Sequence, residues 1–168
     1  MATKATKSAS NAKDVAASPA DGRVTRKQLI ELLNEDLARE YQAIIAYVVY
    51  SQVIKGAQYM NIAKELEKHA AEELDHALTI SKMVDYLGGT PTVKPETVKM
   101  SEKPQDLLQF DLDNETKTIR EYRERVKQCE ALGEFAISEH IREILKQEQE
   151  HAMDLATALG KDVPNMSG

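Results

Sequence analysis

The segment HAAEELDHALTI, residues 69–80, decides how this chain folds, because it places Glu73 and His76 one helical turn apart among regularly spaced apolar residues. Positions i and i+3 of an α-helix lie on the same face, so both side chains point the same way. The same Glu-x-x-His spacing recurs at Glu148 and His151. Two such pairs on apolar helix faces predict two helices that place reactive polar side chains in a shared core.

The two motifs belong to a longer internal repeat. A single glutamate precedes each motif by the same interval, and an aspartate and a tyrosine accompany each glutamate at equal distances. The second half of the chain therefore repeats the first at one constant offset, with Asp36, Glu40, Tyr47, Glu73 and His76 matching Asp111, Glu115, Tyr122, Glu148 and His151. Five matching identities at one offset predict two equivalent hairpins, each supplying half of one site.

Glycine and proline divide the chain into helical windows, since both residue types interrupt helices. Four windows contain neither type: 23–55, 57–87, 105–132 and 134–159. Each is rich in good helix formers and carries apolar residues in alternating steps of four and three, the spacing of bundle packing. Thr25 followed by Gln28 predicts a capping box at the start of the first helix.

The lengths of the connections predict the topology. Short loops near Gly56 and Gly133 require antiparallel hairpins, whereas the segment from Gly88 to Lys103 is long enough to run back along a bundle. The expected fold is all-α, a four-helix bundle of two antiparallel hairpins joined by one long crossover. The expected organisation is a flexible basic N-terminal arm, the bundle and a C-terminal tail, at residues 1–24, 25–160 and 161–168.

Composition narrows the function classes. Of the 168 residues one is a cysteine, Cys129, which excludes internal disulfides and thiolate-rich zinc or iron–sulfur sites. No apolar run approaches the roughly 20 residues of a membrane span, and no secretory signal opens the sequence, so we expect a cytoplasmic protein without membrane contact. The net charge is −6 although residues 1–27 are basic, so only this arm could approach nucleic acid.

Six titratable residues interrupt the apolar stripes at mid-helix: Glu40, Glu73, His76, Glu115, Glu148 and His151. Buried charges need a counter-charge, and the stripes contain no lysine or arginine, so a bound cation is the simplest partner. Four carboxylates and two imidazoles suit two divalent ions of iron, manganese or zinc. We expect Glu73 and Glu148 to bridge the metals, with open coordination positions that favour redox chemistry over a closed structural site.

Five further residues are candidates for supporting roles. Tyr47 and Tyr122 are expected either to hydrogen-bond a bridging carboxylate or donate electrons, or to be ordinary core aromatics. Asp36 and Asp111 are expected either to orient the ligand histidine rings or to face solvent. His69 is expected to be an entry or third-metal ligand, or else a hydrogen-bonded core histidine.

A single Glu followed by Glu-x-x-His, duplicated within a four-helix bundle, resembles the ferritin-like di-iron carboxylate superfamily. Within it, EYQAIIAY at 40–47 and DLDNE at 111–115 resemble the first-helix and third-helix motifs of bacterioferritin. The resemblance implies ferroxidase ligands for two Fe ions per subunit at Glu40, Glu73, His76, Glu115, Glu148 and His151. Leu74 stands where bacterioferritin has its haem-ligating methionine, so haem is not expected.

The resemblance also bears on assembly. The sequence ends at Gly168, which leaves too short a segment after His151 for the short fifth helix of 24-subunit ferritins, so a homo-oligomeric mini-ferritin cage of 12 subunits, similar to Dps, is expected. The leading hypothesis is a ferroxidase and iron-storage or detoxification protein that oxidises Fe²⁺ with O₂ or H₂O₂. The alternatives are a non-storage di-metal peroxidase, catalase or oxygenase, and a Dps-like protein that protects DNA through its arm.

Overall fold

A computed structural model of the chain, which describes residues 24–165, contains four long helices, and the predicted all-α class is confirmed. The helices are α1, Arg26–Val53; α2, Met60–Tyr86; α3, Pro104–Ala131; and α4, Phe135–Ala158. A 3-10 turn at Ala57–Tyr59 precedes α2, which therefore begins one turn later than its glycine-free window. Most of the predicted arm, residues 1–23, and the tail residues 166–168 lie outside the described residues.

The helix ends follow local sequence signals. At the start of α1, the Thr25 hydroxyl accepts a hydrogen bond from the Gln28 backbone, and the Gln28 side chain accepts one from the Thr25 backbone at 2.8 Å, as the capping box predicts. Gly88 ends α2 with a φ of 87°, a conformation that costs other residues energy. Across residues 24–165, no helix combines the length and apolarity that crossing a bilayer requires.

The crossover, residues 88–103, runs along α1 from the end of α2 to the start of α3. Hydrogen bonds to α1 mark its path. The backbone N–H of Thr92 donates to Oδ1 of Asn34, that of Glu96 donates to the carbonyl of Ala38, and the Tyr50 hydroxyl donates to the carbonyl of Lys99. Because later crossover residues contact later turns of α1, the crossover runs along the full length of the bundle. Helix α3 therefore starts at the same end as α2 and runs parallel to it, as the loop lengths predict.

The core is divided into two apolar layers by a polar middle. One layer lies at the end of α1 and includes Tyr50, Leu66, Leu108 and Leu155. The other lies at the start of α1 and includes Leu33, Ile80, Val126 and Ile141. The apolar layers fix the four helices at both ends, and this arrangement holds the buried polar groups between them at one level.

We expect the substitution Gly89→Ala to destabilise the junction of α2 and the crossover. A Cβ at Gly89 would lie 2.4 Å from Cγ2 of Ile30 and 3.1 Å from Cγ1 of Val84, and both β-branched side chains are stiff. Overpacking of this kind lowers the free energy of unfolding by about 1–3 kcal/mol. Urea denaturation measures the change, with Lys94→Ala in the exposed part of the same crossover as the control. Equal midpoints for both variants would contradict the packing.

Candidate metal centre

The six predicted metal-ligating residues are all buried, with at most 3% of each exposed, and they meet at the middle of the bundle. Helices α1 and α3 supply one glutamate each, Glu40 and Glu115. Helices α2 and α4 supply a glutamate and a histidine each, one turn apart. The duplicated sequence thus places equivalent groups on opposite sides of the bundle axis.

The six residues form two overlapping groups. In the first, Glu40, Glu73, His76 and Glu148 offer ligand atoms that all lie within 4.8 Å of one another. Nδ1 of His76 lies 3.1 Å from Oε2 of Glu73, 3.3 Å from Oε2 of Glu40 and 3.3 Å from Oε1 of Glu148. This group contains three carboxylates around one imidazole.

The second group consists of Glu73, Glu115, Glu148 and His151, with ligand atoms again within 4.8 Å of one another. Nδ1 of His151 lies 3.0 Å from Oε1 of Glu73 and 3.5 Å from Oε2 of Glu148. Glu73 and Glu148 therefore belong to both groups. A glutamate with one oxygen towards each group is able to hold two cations side by side.

Several atoms of the centre lack a partner with hydrogen-bond geometry, namely Oε2 of Glu40, Oε1 of Glu73, Oε1 of Glu148 and Nδ1 of His151. Each lies within 3.3 Å of an opposing polar group, so the atoms converge without satisfying one another. Buried polar atoms without partners are costly. Carboxylate oxygen and imidazole nitrogen are ligands that suit divalent iron, manganese or zinc, so the donor set fits a pair of such ions.

Their contacts separate the four buried carboxyl groups into two classes. Burial, followed by the charges of Glu73 and Glu148, raises the pKa of Glu40 well above its usual range, and burial with the charge of Glu148 does the same for Glu115. Burial also raises the pKa of Glu73 and Glu148, but their short contacts with the other glutamates and both histidines outweigh it and lower the pKa. Protonation is therefore favoured at Glu40 and Glu115, and ionisation at Glu73 and Glu148.

The two histidines are cationic at neutral pH for the same reason. Burial lowers the pKa of His151, but its contacts with Glu148 and Glu73 raise it to about 10. The pKa of His76 is likewise raised, because the contacts with Glu148, Glu40 and Glu73 outweigh burial. Two imidazolium ions therefore lie against Glu73 and Glu148, the two glutamates whose pKa is lowered.

Two tyrosines tie α1 and α3 together across the centre. The Tyr47 hydroxyl donates to Oε1 of Glu115, and the Tyr122 hydroxyl donates to Oε1 of Glu40. From the sequence, a bridging carboxylate was one expected hydrogen-bond partner of the two tyrosine hydroxyls. The structure instead pairs each tyrosine with the single glutamate of the opposite helix, because the hydroxyl reaches across the bundle and not along its own helix.

Asp36 is fully buried and accepts hydrogen bonds from two arginines. Nε of Arg125 donates to Oδ2 of Asp36 at 2.6 Å, and Arg39 donates to Oδ1. The expectation that Asp36 faces solvent or orients a histidine is therefore wrong. Arg39 and Arg125 are buried although the predicted stripes contained no basic residue. They lie beside the stripes, at positions that periodicity alone assigns to the surface.

Asp111, the counterpart of Asp36, has a different environment. It is buried, and its Oδ2 has no hydrogen-bond partner. At the offset of the internal repeat, Tyr50 takes the position of Arg125 and Asn114 that of Arg39, so neither arginine has a basic counterpart. Burial, followed by the charge of Glu73, raises the pKa of Asp111 well above its usual range, which favours the neutral carboxyl.

The outer nitrogens of the histidines contact residues that the sequence analysis missed. Nε2 of His76 lies 2.9 Å from Oε1 of Gln147, and Nε2 of His151 lies 2.9 Å from Oε2 of Glu72. These contacts orient the rings, a role expected of the aspartates. A signal was available, since Glu72 and Gln147 directly precede the two motif glutamates and occupy matching positions of the internal repeat.

His69, the remaining candidate, is buried beside the centre. Its Nε2 lies 3.3 Å from Oδ2 of Asp154, and its ring stacks on that of His151 with centroids 4.0 Å apart. Burial, followed by the proximity of His151, lowers the pKa of His69. It is therefore a neutral histidine that contacts a carboxylate, next to a cationic one.

A small cavity lies on the other side of the centre, between α1 and α3. Its volume is about 10 Å³, and its lining includes Arg39, Gln42, Asn114 and Thr118 together with the four central glutamates. This is close to the space that a single water molecule needs. The cavity therefore has space for about one water molecule between the glutamates and Arg39.

Comparisons with known proteins agree with this arrangement. A family model described as a ferritin-like domain matches residues 30–163. The bacterioferritin of Desulfovibrio desulfuricans is 29% identical over 134 residues, covering 79% of this chain and 75% of the relative. The bacterioferritin of Brucella melitensis is 27% identical over 135 residues, covering 79% of this chain and 83% of the relative.

Solved structures give the same result. A ferritin-like, diiron-carboxylate protein from Bacillus anthracis superposes with a TM-score of 0.77 at 33% identity, covering 80% of this chain and 96% of that protein. The D. desulfuricans bacterioferritin, whose diiron site was captured in different catalytic states, superposes with a TM-score of 0.74 at 26% identity, covering 80% of each chain.

We expect Asp36→Asn to destabilise the protein and Asp111→Asn to leave its stability nearly unchanged. Removing the charge of Asp36 leaves Arg125 buried without its anion, whereas Arg39 keeps its contact with Glu121, and a broken buried ion pair costs about 3–5 kcal/mol. Asp111 contacts neither arginine and its raised pKa favours the neutral form, so replacing it with asparagine breaks no such ion pair. Thermal and urea denaturation at neutral pH measure both variants. Similar losses at the two positions would show that the arginines do not distinguish the two halves.

Proposed function

Because the chain belongs to the ferritin-like family, we propose that its buried centre is a ferroxidase site at which two Fe²⁺ ions per chain are oxidised by O₂ or H₂O₂. The observation that carries the proposal is the overlap of two ligand groups on Glu73 and Glu148. It is supported by the similarity to the D. desulfuricans bacterioferritin, which has a diiron site. Iron is the substrate in this proposal, and storage follows its oxidation.

Each half of the repeat serves one ion. Glu40 and His76 complete one position, Glu115 and His151 complete the other, and the two shared glutamates lie between them. Four carboxylates balance the charge of two divalent ions, and the histidines then bind as neutral imidazoles. The two ions thereby replace protons bound at the centre, so positive charge continues to balance the carboxylates.

The oxidation balances with either oxidant. With H₂O₂, each of two Fe²⁺ ions gives one electron, the O–O bond breaks, and two protons complete two water molecules. With O₂, the same two electrons and two protons yield H₂O₂. Tyr47 and Tyr122 hold the single glutamates through their hydroxyls, and burial with the adjacent carboxyls raises the pKa of both tyrosines, so they stay protonated.

The proposal extends to storage in a homo-oligomeric shell, which we expect to have 12 subunits. The acidic net charge of −6 favours the attraction of cations to such a shell. Leu74, about half exposed on α2, has no atom that ligates iron, so haem plays no part in the proposal. Iron loading followed by size-exclusion chromatography tests storage, because a non-storage di-metal enzyme would turn over without retaining iron in a large particle.

We expect Glu73→Gln combined with Glu148→Gln to abolish rapid Fe²⁺ oxidation. Both groups of ligands lose a carboxylate, so the loss should exceed the roughly 100-fold effect typical of residues that only support a metal site. Stopped-flow measurement of Fe³⁺ formation gives the rate, and circular dichroism checks the fold. The matched control is Glu150→Gln, which makes the same change at an exposed position of α4. An unchanged rate in the double variant would refute the site.

Binding of two redox-inert divalent ions should release protons at neutral pH. The pKa values of Glu40, Glu115, His76 and His151 are raised, which favours the protonated form of each group before the ions bind. Because protons compete with the ions, affinity rises as pH rises. Calorimetric Zn²⁺ titration in two buffers of different ionisation enthalpy measures the release. Binding of two ions with no proton release would contradict the protonation pattern.

A further inference from the structure

Three overlapping groups of possible ligands lead from the surface between α2 and α4 to the centre. The outer group is Glu65, His69 and Asp154, and the middle group is His69, Glu72 and His151, each with ligand atoms within 4.8 Å of one another. His151 then belongs to the inner group with the shared glutamates. Neighbouring groups thus have a histidine in common, which gives a continuous series of donors.

The outer group combines a buried ligand with accessible ones. His69 is only 1% exposed, and its Nδ1 has no hydrogen-bond partner. The Asp154 side chain, 3.3 Å from Nε2 of His69, is 46% exposed. A groove of about 210 Å³ between α2 and α4 is lined by Glu65 and Asp154. A cation in solvent therefore has direct access to the outer group.

The bundle does not need these residues for packing, as the other half of the repeat demonstrates. At the offset of the internal repeat, Glu65, His69, Glu72 and Asp154 correspond to His140, Ile144, Gln147 and Thr79. Ile144 is buried like His69, so an aliphatic side chain fills the equivalent place. Within the described residues, the series of donors is therefore present on the His151 side of the bundle and absent from the His76 side.

We propose that Glu65, His69 and Asp154 bind a third divalent cation, and that Glu72 lies on its path to the His151 side of the centre. One imidazole and two carboxylates suit Fe²⁺, Mn²⁺, Co²⁺ or Zn²⁺. Three donors at a solvent-accessible position bind more weakly than the enclosed centre, as a transit site requires. Binding at the outer group is independent of the proposed function, whereas passage to the centre rests on it.

Co²⁺ titration followed by absorption spectroscopy and equilibrium dialysis tests the binding. We expect three ions per chain in the unchanged protein, two in Asp154→Asn, and one in Glu73→Gln with Glu148→Gln. Asp154 is half exposed, so its substitution leaves the core intact. The control is His140→Gln, which alters an exposed histidine 3.5 Å from Glu143 and should leave three ions. Equal Co²⁺ numbers in the unchanged protein and Asp154→Asn would overturn the third site.

Diffraction from Co²⁺-soaked crystals at the cobalt edge locates the ion. A third anomalous peak between His69 and Asp154 supports the assignment, and a third peak elsewhere on the chain overturns it. A peak that persists in Glu73→Gln with Glu148→Gln shows that the outer site stands without the centre. This result separates a failure of the inference from a failure of the proposed ferroxidase site.

Stopped-flow oxidation of limiting Fe²⁺ tests the passage. We expect Asp154→Asn to slow oxidation by about tenfold, a loss within the range for residues that support a metal site, while the final amount of Fe³⁺ is unchanged. His140→Gln should oxidise Fe²⁺ at the original rate. If Asp154→Asn loses the third Co²⁺ but oxidises Fe²⁺ at the normal rate, the proposed passage of the cation from the outer group to the centre is wrong.

Discussion

The structure depends on one constraint, which is that six titratable side chains must be buried together without burying a net charge. An unpaired ion in the interior of a bundle costs several kcal/mol, so each charge here requires an opposite one within contact distance. The shifted pKa values help to meet this requirement, because they favour the neutral forms of Glu40 and Glu115 and the charged forms of both histidines. Two divalent cations would meet it equally well. The apolar layers at the two ends of the bundle supply the stability that holds this exchangeable centre in place.

The repeat gives the centre its approximate symmetry, but its surroundings are asymmetric. The Glu40 side has Asp36 with two arginines, whereas the Glu115 side has Asp111 beside Tyr50, with its pKa raised. The His151 side has His69 and Glu72, where the His76 side has Ile144 and Gln147. The two equivalent sets of ligands therefore lie in unequal electrostatic environments. The residues around the centre distinguish its two positions.

Two faces of the bundle give different access to the centre. The cavity between α1 and α3 is about 10 Å³ and has space for little more than one small molecule. The opposite face, between α2 and α4, presents carboxylates and a buried histidine beneath an open groove. The narrow cavity admits only very small molecules, whereas the carboxylates of the open groove attract positive charge. Under the proposed function, the oxidant and iron would therefore approach the centre from opposite sides.

The sequence by itself determined the four helices, their order and the burial of six particular side chains at one level. The periodicity of the apolar residues assigns Glu40 and Glu73 to the core face of their helices, and the constant offset of the internal repeat places their counterparts opposite. Only the tertiary structure decided that Tyr47 contacts Glu115, that Arg125 is buried against Asp36 and that His69 stacks on His151. These contacts join different helices, and they depend on the rotation and axial shift of each helix. Helical periodicity describes one helix at a time, so it fixes which face is buried but not which neighbours meet there.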